Sequence, residues 1–91
     1  MNKILRVYSY YIDALYIPKY IGIFKEEDLD KAIAFAREFR TKHSSHKYIE
    51  IYIQEIPMGS LLDEEGYVIE GKNIWESFLG KDNIIVEKHL V

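Results

Sequence analysis

The sequence predicts one α+β domain in which a long helix covers one face of an antiparallel sheet of four to five strands. Three observations lead to this fold class. The length of 91 residues is that of a single domain, residues 26–42 have an amphipathic helical pattern, and segments on both sides of them alternate with period two. The expected order is β-β-α-β, then a short strand, a short helix and a last strand, with residues 1–91 in one domain.

The N-terminal segments are expected to form a β-hairpin. Residues 3–11 and residues 15–24 are both rich in β-branched and aromatic side chains, and the link 12–14 between them is short. Pro18 lacks a backbone donor for a sheet, and Gly22 weakens a strand. We therefore expect the second strand at the sheet edge, or with a bulge near Pro18.

The helix at residues 26–42 is the clearest element. Acidic residues occupy its first turn, and Arg37, Arg40 and Lys42 lie near its end, as the helix dipole favours. A right-handed crossover through this helix would place the first strand between the second and the third. The expected core comprises Leu5, Val7, Ile21, Ile23, Ile49, Ile51 and Ile53 on the sheet, and Leu29, Ala32, Ile33, Ala36 and Phe39 on the helix.

Two further strands are expected after the helix. Residues 48–56 alternate regularly, with isoleucines on one face and polar or aromatic side chains on the other. Residues 67–70 are apolar enough for a short strand and are stopped by Gly71.

The end of the chain is expected to contain a short helix and a strand. Asn73 and Glu76 have the spacing of a capping box, and Gly80 would follow the last helical residue, which predicts a helix at residues 73–79. Residues 83–91 are rich in β-branched side chains and are expected to form the final strand.

Composition and charge favour a cytoplasmic protein without a membrane segment. The chain has no cysteine, which fits a reducing compartment. No stretch reaches the ~18 consecutive apolar residues of a membrane span, and the sequence after Met1 lacks the apolar segment of a signal peptide. The net charge of −3 argues against a general affinity for nucleic-acid backbones.

The sequence contains no recognisable catalytic or metal-binding pattern. His43 and His46 form an H-x-x-H pair, but His89 is the only other histidine, so a solvated turn is the favoured interpretation. Two clusters of acidic residues, at 26–30 and 63–65, run along consecutive stretches of the chain, which disperses their carboxylates. No G-x-S-x-G motif and no phosphate-binding glycine loop occurs. We therefore expect no catalytic residue, cofactor or metal, and a protein that is not an enzyme.

Tyrosine is unusually frequent, with eight residues. Alternation places most of the tyrosines on the sheet face away from the long helix, together with Phe24. Tyrosine combines a large rigid contact area with a polar tip, which suits protein recognition. The expected partner-binding residues are Arg6, Tyr8, Tyr10, Tyr16, Tyr20, Tyr48, Glu50, Tyr52 and Gln54.

Three arrangements of this face are consistent with the sequence. It could bind a protein partner, it could pair with a second copy in a homodimer, or the segment carrying Trp75, Phe78 and residues 84–86 could fold over it. An aromatic sheet face could also bind a nucleotide or a single strand of nucleic acid by stacking. Glu50 lies among the tyrosines and disfavours a nucleic acid.

Residues 4–59 contain the segments YIGIF, EEDLDKAIAFAREF and YIEIYIQEIPMG. In this pattern the chain resembles small uncharacterised domains that are common in bacteriophage and prophage genomes. The resemblance implies a small non-catalytic protein of a phage or mobile element that binds a host protein, including as an inhibitor of host defence. It supplies no catalytic residues.

Overall fold

The computed structural model describes residues 3–11, 18–43, 46–57 and 71–90 of the chain. These residues form a five-stranded antiparallel sheet with one α-helix on one of its faces. No helix within the described ranges is both long and apolar enough to span a membrane. The strands are β1 (Lys3–Tyr11), β2 (Lys19–Lys25), β3 (Ile49–Pro57), β4 (Lys72–Leu79) and β5 (Ile85–His89), and the helix is α1 (Leu29–Lys42), preceded by a 3-10 helix (Glu26–Asp28).

The first part of the chain has the predicted topology. The strand order across the sheet is β2-β1-β3-β4-β5, so β1 lies between β2 and β3 and β2 is at an edge. The chain reaches β3 from β2 through α1, as expected for a crossover connection. The strand predicted at residues 67–70 and the hairpin link at residues 12–14 lie outside the described residues.

The prediction of a short helix at residues 73–79 is wrong, because these residues belong to strand β4. An irregularity in the pairing of β3 with β4 falls between Ile53 and Gln54, where Ile53 pairs with Trp75 and Gln54 with Asn73. The extra residue, Ile74, packs against the core beside the buried Trp75. Ile74 and Trp75 are therefore both apolar although they are consecutive in a strand. This departure from period two makes the segment resemble a helix.

A bulge also interrupts β2. Val7 pairs with Gly22 and Tyr8 pairs with Tyr20, so Ile21 is an extra residue between two regular stretches. Because a strand alternates between faces, one extra residue reverses which side chains point to the helix. The glycine is the sequence signal for this irregularity, although the bulge had been expected nearer to Pro18.

The bulge explains two incorrect predictions. Ile23 is 69% exposed and does not belong to the core. Phe24 is not on the face away from the helix, since its ring packs against that of Phe35 on α1, with centroids 5.4 Å apart. A Cβ atom on Gly22 would lie 2.9 Å from Phe35, so glycine at this position allows the phenyl ring to approach the strand.

The core otherwise lies where it was predicted, between α1 and the sheet. Ile21, Leu29 and Phe39 are partly buried and pack against it. Among the described residues, Trp75 and Ile56 are buried although they were not expected in the core, and Trp75 is 1% exposed. The buried cluster consists of Leu5, Val7, Ala32, Ile33, Ala36, Ile49, Ile51, Ile53 and Trp75.

Two arginines of α1 connect the helix to the C-terminal strands. Arg40 is buried, and its Nη2 donates to Ser77 Oγ at 2.8 Å and to the Ser77 carbonyl oxygen at 3.1 Å. Arg37 is exposed and forms an ion pair with Glu87 of β5, with Nη2 and Oε1 2.7 Å apart. These contacts hold β4 and β5 against the C-terminal half of the helix.

Candidate partner-binding surface

Four tyrosines come together on the sheet face away from α1. Tyr8 and Tyr10 belong to β1, Tyr52 to β3 and Tyr20 to β2. Tyr8 is directly opposite both Tyr20 and Tyr52, because β1 is the strand between β2 and β3. We refer to Tyr8, Tyr10, Tyr20 and Tyr52 as the tyrosine cluster.

The rings of the cluster lie against one another. Tyr52 is stacked on Tyr8, with centroids 5.2 Å apart and 18° between the ring planes, and on Tyr10, at 5.6 Å and 19°. Tyr20 is tilted by 56° against Tyr8 at 5.9 Å. These spacings lie in the range where offset or tilted aromatic pairs attract each other.

Three hydroxyl groups of the cluster have fixed hydrogen bonds. Tyr10 donates to Tyr52 Oη at 3.3 Å, and Tyr52 in turn donates to Glu50 Oε1 at 2.6 Å. Tyr8 donates to Asn73 Oδ1 of β4 at 3.0 Å. The stacked rings are therefore held in place at their polar tips as well as by their faces.

Burial raises the pKa of all three of these phenols. For Tyr52 the raised pKa also reflects the hydrogen bond to Glu50 and the negative charge of that carboxylate. For Tyr8 and Tyr10 loss of hydration is again the largest cause of the raised pKa. At neutral pH these groups are neutral phenols, which can both donate and accept hydrogen bonds.

The side of the cluster near the β2 edge is open to solvent. Tyr20 is 42% exposed and Ile23 is 69% exposed. Arg6, opposite Ile23, places its guanidinium carbon 3.5 Å from the centre of the Tyr20 ring, a cation–π contact. Aromatic, aliphatic and cationic groups are thus adjacent on an exposed surface.

The other predicted binding residues are Glu50, Gln54, Tyr48 and Tyr16. Glu50 and Gln54 lie on β3, on the face of the tyrosine cluster, opposite Tyr10 and Arg6 respectively. Tyr48 lies in a 3-10 helix before β3, is 55% exposed, and within the described ranges makes no ring contact with the cluster. Tyr16 is outside the described residues.

Asn73 and Glu76 also belong to this face, although neither is among the predicted binding residues. Glu76 pairs with Tyr52, and Asn73 pairs with Gln54. The sequence predicts a helix for both residues, and a helix would not have placed them beside the tyrosines. The period-two spacing of Trp75 and Ser77, the two most buried residues of β4, could have placed Glu76 on this face. It could not have placed Asn73, which reaches this face because of the irregularity at Ile74.

The described part of the C-terminal segment does not fold over the tyrosines. It extends the sheet as β4 and β5, with Trp75 in the core under α1. Phe78 and Val86 pair across these two strands. The expectation that Trp75, Phe78 and residues 84–86 form a second core over the cluster is therefore wrong.

Within the described ranges, no three histidine or acidic side chains are close enough together to hold a metal ion. His43 packs its ring against that of Phe39, with centroids 4.0 Å apart. The side chain of His46 lies outside the described part. Comparison of the chain with protein-family models, curated proteins and solved structures found no match.

Proposed function

We propose that the chain is a non-catalytic binding module and that the sheet face carrying the tyrosine cluster binds another protein. The observation that supports this most directly is the exposure of Tyr20 and Ile23 beside rings that are already fixed by stacking and hydrogen bonds. Aromatic residues and arginine are enriched in protein interfaces, and Arg6 lies directly over Tyr20.

The fixed rings favour binding because they reduce its entropic cost. A side chain that is immobilised only on binding costs about 0.5–1.5 kcal/mol of association free energy. Tyr8, Tyr10 and Tyr52 have their hydroxyls held by hydrogen bonds within the chain. A partner that docks on them has few torsions to restrict.

The charges on this face favour a protein over a polyanion. Glu50 and Glu76 flank Tyr52, while Arg6 lies on the other side of the cluster. A protein surface can provide charges of both signs to match them, whereas a phosphate backbone would meet the two carboxylates. Binding of a nucleotide or single strand is the alternative function, and stacking on Tyr20 is the feature that would support it.

The first class of partner to test is a bacterial host protein, including a host-defence protein that the chain would inhibit. The resemblance to phage and prophage domains is the reason for this choice. The proposal places the encounter in the cytoplasm, the compartment expected from the sequence. A second copy of the chain is the competing occupant of the same face.

The experiment compares Tyr20→Ala with Tyr48→Ala. Both residues are exposed tyrosines, but only Tyr20 belongs to the cluster. Each variant and the unmodified chain are immobilised and incubated with bacterial lysate, and the captured proteins are quantified. We expect one specific protein to be captured by the unmodified chain and by Tyr48→Ala, and at least about 10-fold less by Tyr20→Ala.

Two further measurements separate the competing occupants. Sedimentation equilibrium of the purified chain would show a dimer weakened by Tyr20→Ala if a second copy covers the face. Titration with nucleotides and single-stranded oligonucleotides would show saturable binding if the alternative function is correct. Equal capture by the two tyrosine variants would contradict the proposal.

A further inference from the structure

A cavity of about 360 Å³ lies where the C-terminal end of α1 meets the sheet. It is bounded by the last residues of β1, the first residues of β2 and β3, and the final turn of the helix. Ligand pockets in proteins occupy about 300–1,000 Å³, so this volume suits a small molecule of one or two rings.

Three side-chain pairs form the walls of this cavity. Ser9 and Lys19 are directly opposite each other across β1 and β2. Tyr11 and Ile49 are likewise opposite across β1 and β3. At the end of the helix, the ring of Phe39 is in contact with that of His43, the residue that follows α1. Regular strand pairing therefore supports the first two pairs, and a ring contact at the helix C-terminus supports the third.

Ser9 is a polar residue at a buried position. It is 4% exposed and lines the cavity. Within the described ranges, none of the side-chain hydrogen bonds involves the Ser9 hydroxyl, and no fully buried polar atom is left without a partner. The hydroxyl is therefore accessible from the cavity and can donate a hydrogen bond to a molecule bound there.

The charges around the cavity favour an anion. The described lining residues include Lys19 but no aspartate or glutamate. Lys19 lies beside Ser9, so an ammonium group and a hydroxyl can approach the same ligand oxygen atoms. The remaining walls are apolar, since Tyr11, Phe39 and Ile49 contribute rings and an aliphatic side chain.

We propose that this cavity binds a small aromatic carboxylate. The ring lies between Phe39 and the Tyr11–Ile49 pair, and the carboxylate accepts hydrogen bonds from Ser9 Oγ and Lys19 Nζ. Both anchors belong to paired strands of the sheet, which fixes the backbone positions from which they reach the ligand.

The test uses naphthoate as the probe and naphthamide as its uncharged analogue, with amide chemical shifts of the intact chain followed by NMR. We expect saturable shifts at Ser9, Lys19, Phe39, His43 and Ile49 with naphthoate. Binding of naphthamide is expected to be weaker by about 10-fold, since its amide oxygen still accepts a hydrogen bond but carries no charge to pair with the Lys19 ammonium.

Matched lysine variants test the anchor. Lys19 and Lys25 are exposed residues at opposite ends of β2, and only Lys19 lines the cavity. Lys19→Gln is expected to weaken naphthoate binding by about 5- to 10-fold, whereas Lys25→Gln leaves it unchanged. Ser9→Ala removes only the hydroxyl and is expected to weaken binding by a similar factor while the fold is kept.

Three outcomes would overturn the proposal. Naphthoate and benzoate at millimolar concentration could give no saturable shifts at these residues, which excludes the site. Naphthamide could bind as tightly as naphthoate, which excludes an anionic ligand. An equal loss of affinity in the two lysine variants would show that net charge, and not the cavity, determines binding.

Discussion

Tyr8 and Tyr52 are directly opposite each other on adjacent strands, and their rings are stacked 5.2 Å apart with an angle of 18°. Each ring therefore shields one face of the other from solvent within the chain itself. They therefore contribute to folding as well as to the proposed surface, which separates them from the exposed Tyr20.

Replacement of Tyr8 by alanine is expected to lower the free energy of unfolding by about 1–3 kcal/mol. The substitution removes the ring contact with Tyr52 and the hydrogen bond to Asn73. Urea denaturation measures this change. Tyr48→Ala, at a 55% exposed position, is expected to change stability by less than about 0.5 kcal/mol. A similar small effect of Tyr8→Ala would mean that the stack contributes nothing to folding.

The raised phenol pKa values predict a loss of stability in alkaline solution. Because burial raises the pKa of Tyr52, Tyr8 and Tyr10 in the folded state, the unfolded chain ionises first as the pH rises. The stability that these groups contribute is complete below about pH 10, the unfolded-state pKa, and is lost above it. The free energy of unfolding should therefore fall steeply above that pH.

Tyr52→Phe tests this linkage at one group. The variant loses the hydrogen bond to Glu50, which should cost about 1 kcal/mol at neutral pH. It also removes one ionising phenol, so stability should decrease less steeply with alkaline pH than in the unmodified chain. An unchanged slope would show that Tyr52 ionises equally in the folded and unfolded states.

The sequence predicted the fold where hydrophobic alternation is regular. The periodicity of α1 and of the isoleucines at 49, 51 and 53 identified most of the core. The errors arose at two pairing irregularities, one at Ile21 and one at Ile74. A bulge depends on the partner strand, and its position cannot be read from the pattern of one segment alone.

The candidate surface was predicted in part for the same reason. Tyr8, Tyr10, Tyr20 and Tyr52 lie on regular stretches, and their common face followed from period two. Asn73 was missed because the segment of β4 satisfies the rules for a helix cap. Local sequence preference was overridden here by pairing with β3.

Gly22→Ala is expected to destabilise the fold by about 1–3 kcal/mol. The new methyl group would lie 2.9 Å from Cε2 of Phe35 and 3.2 Å from Cε1 of Phe24, so a ring must move. Combining it with Phe35→Leu should recover part of the loss, because the shorter side chain leaves room for the methyl group. Strictly additive effects in thermal or urea unfolding would contradict the contact.

Arg40→Lys is expected to destabilise the fold by about 2 kcal/mol. The buried guanidinium reaches the Ser77 hydroxyl and carbonyl oxygen together, and a single ammonium lacks this fork geometry. The matched control is Arg37→Lys, at an exposed ion pair with Glu87, where no measurable change is expected. Equal effects of the two substitutions on urea unfolding would show that burial of Arg40 is not what makes its contacts important.

The turn between β4 and β5 contains two consecutive residues with positive φ. Asp82 and Asn83 have positive φ values of 58° and 59°, and the Ile84 amide donates to the Lys81 carbonyl oxygen at 3.2 Å. Two consecutive residues in this conformation are typical of a type I′ hairpin turn, which favours Asn, Asp and Gly.

Asn83→Gly should therefore keep or raise stability by up to about 1 kcal/mol, because glycine adopts a positive φ without steric cost. Asn83→Val should lower stability by about 1–2 kcal/mol, since a β-branched side chain is strained in this region. Thermal unfolding of the two variants measures the difference. Equal effects of the two substitutions would contradict a positive φ at Asn83. The register between β4 and β5 would then be determined by the strands and not by the turn.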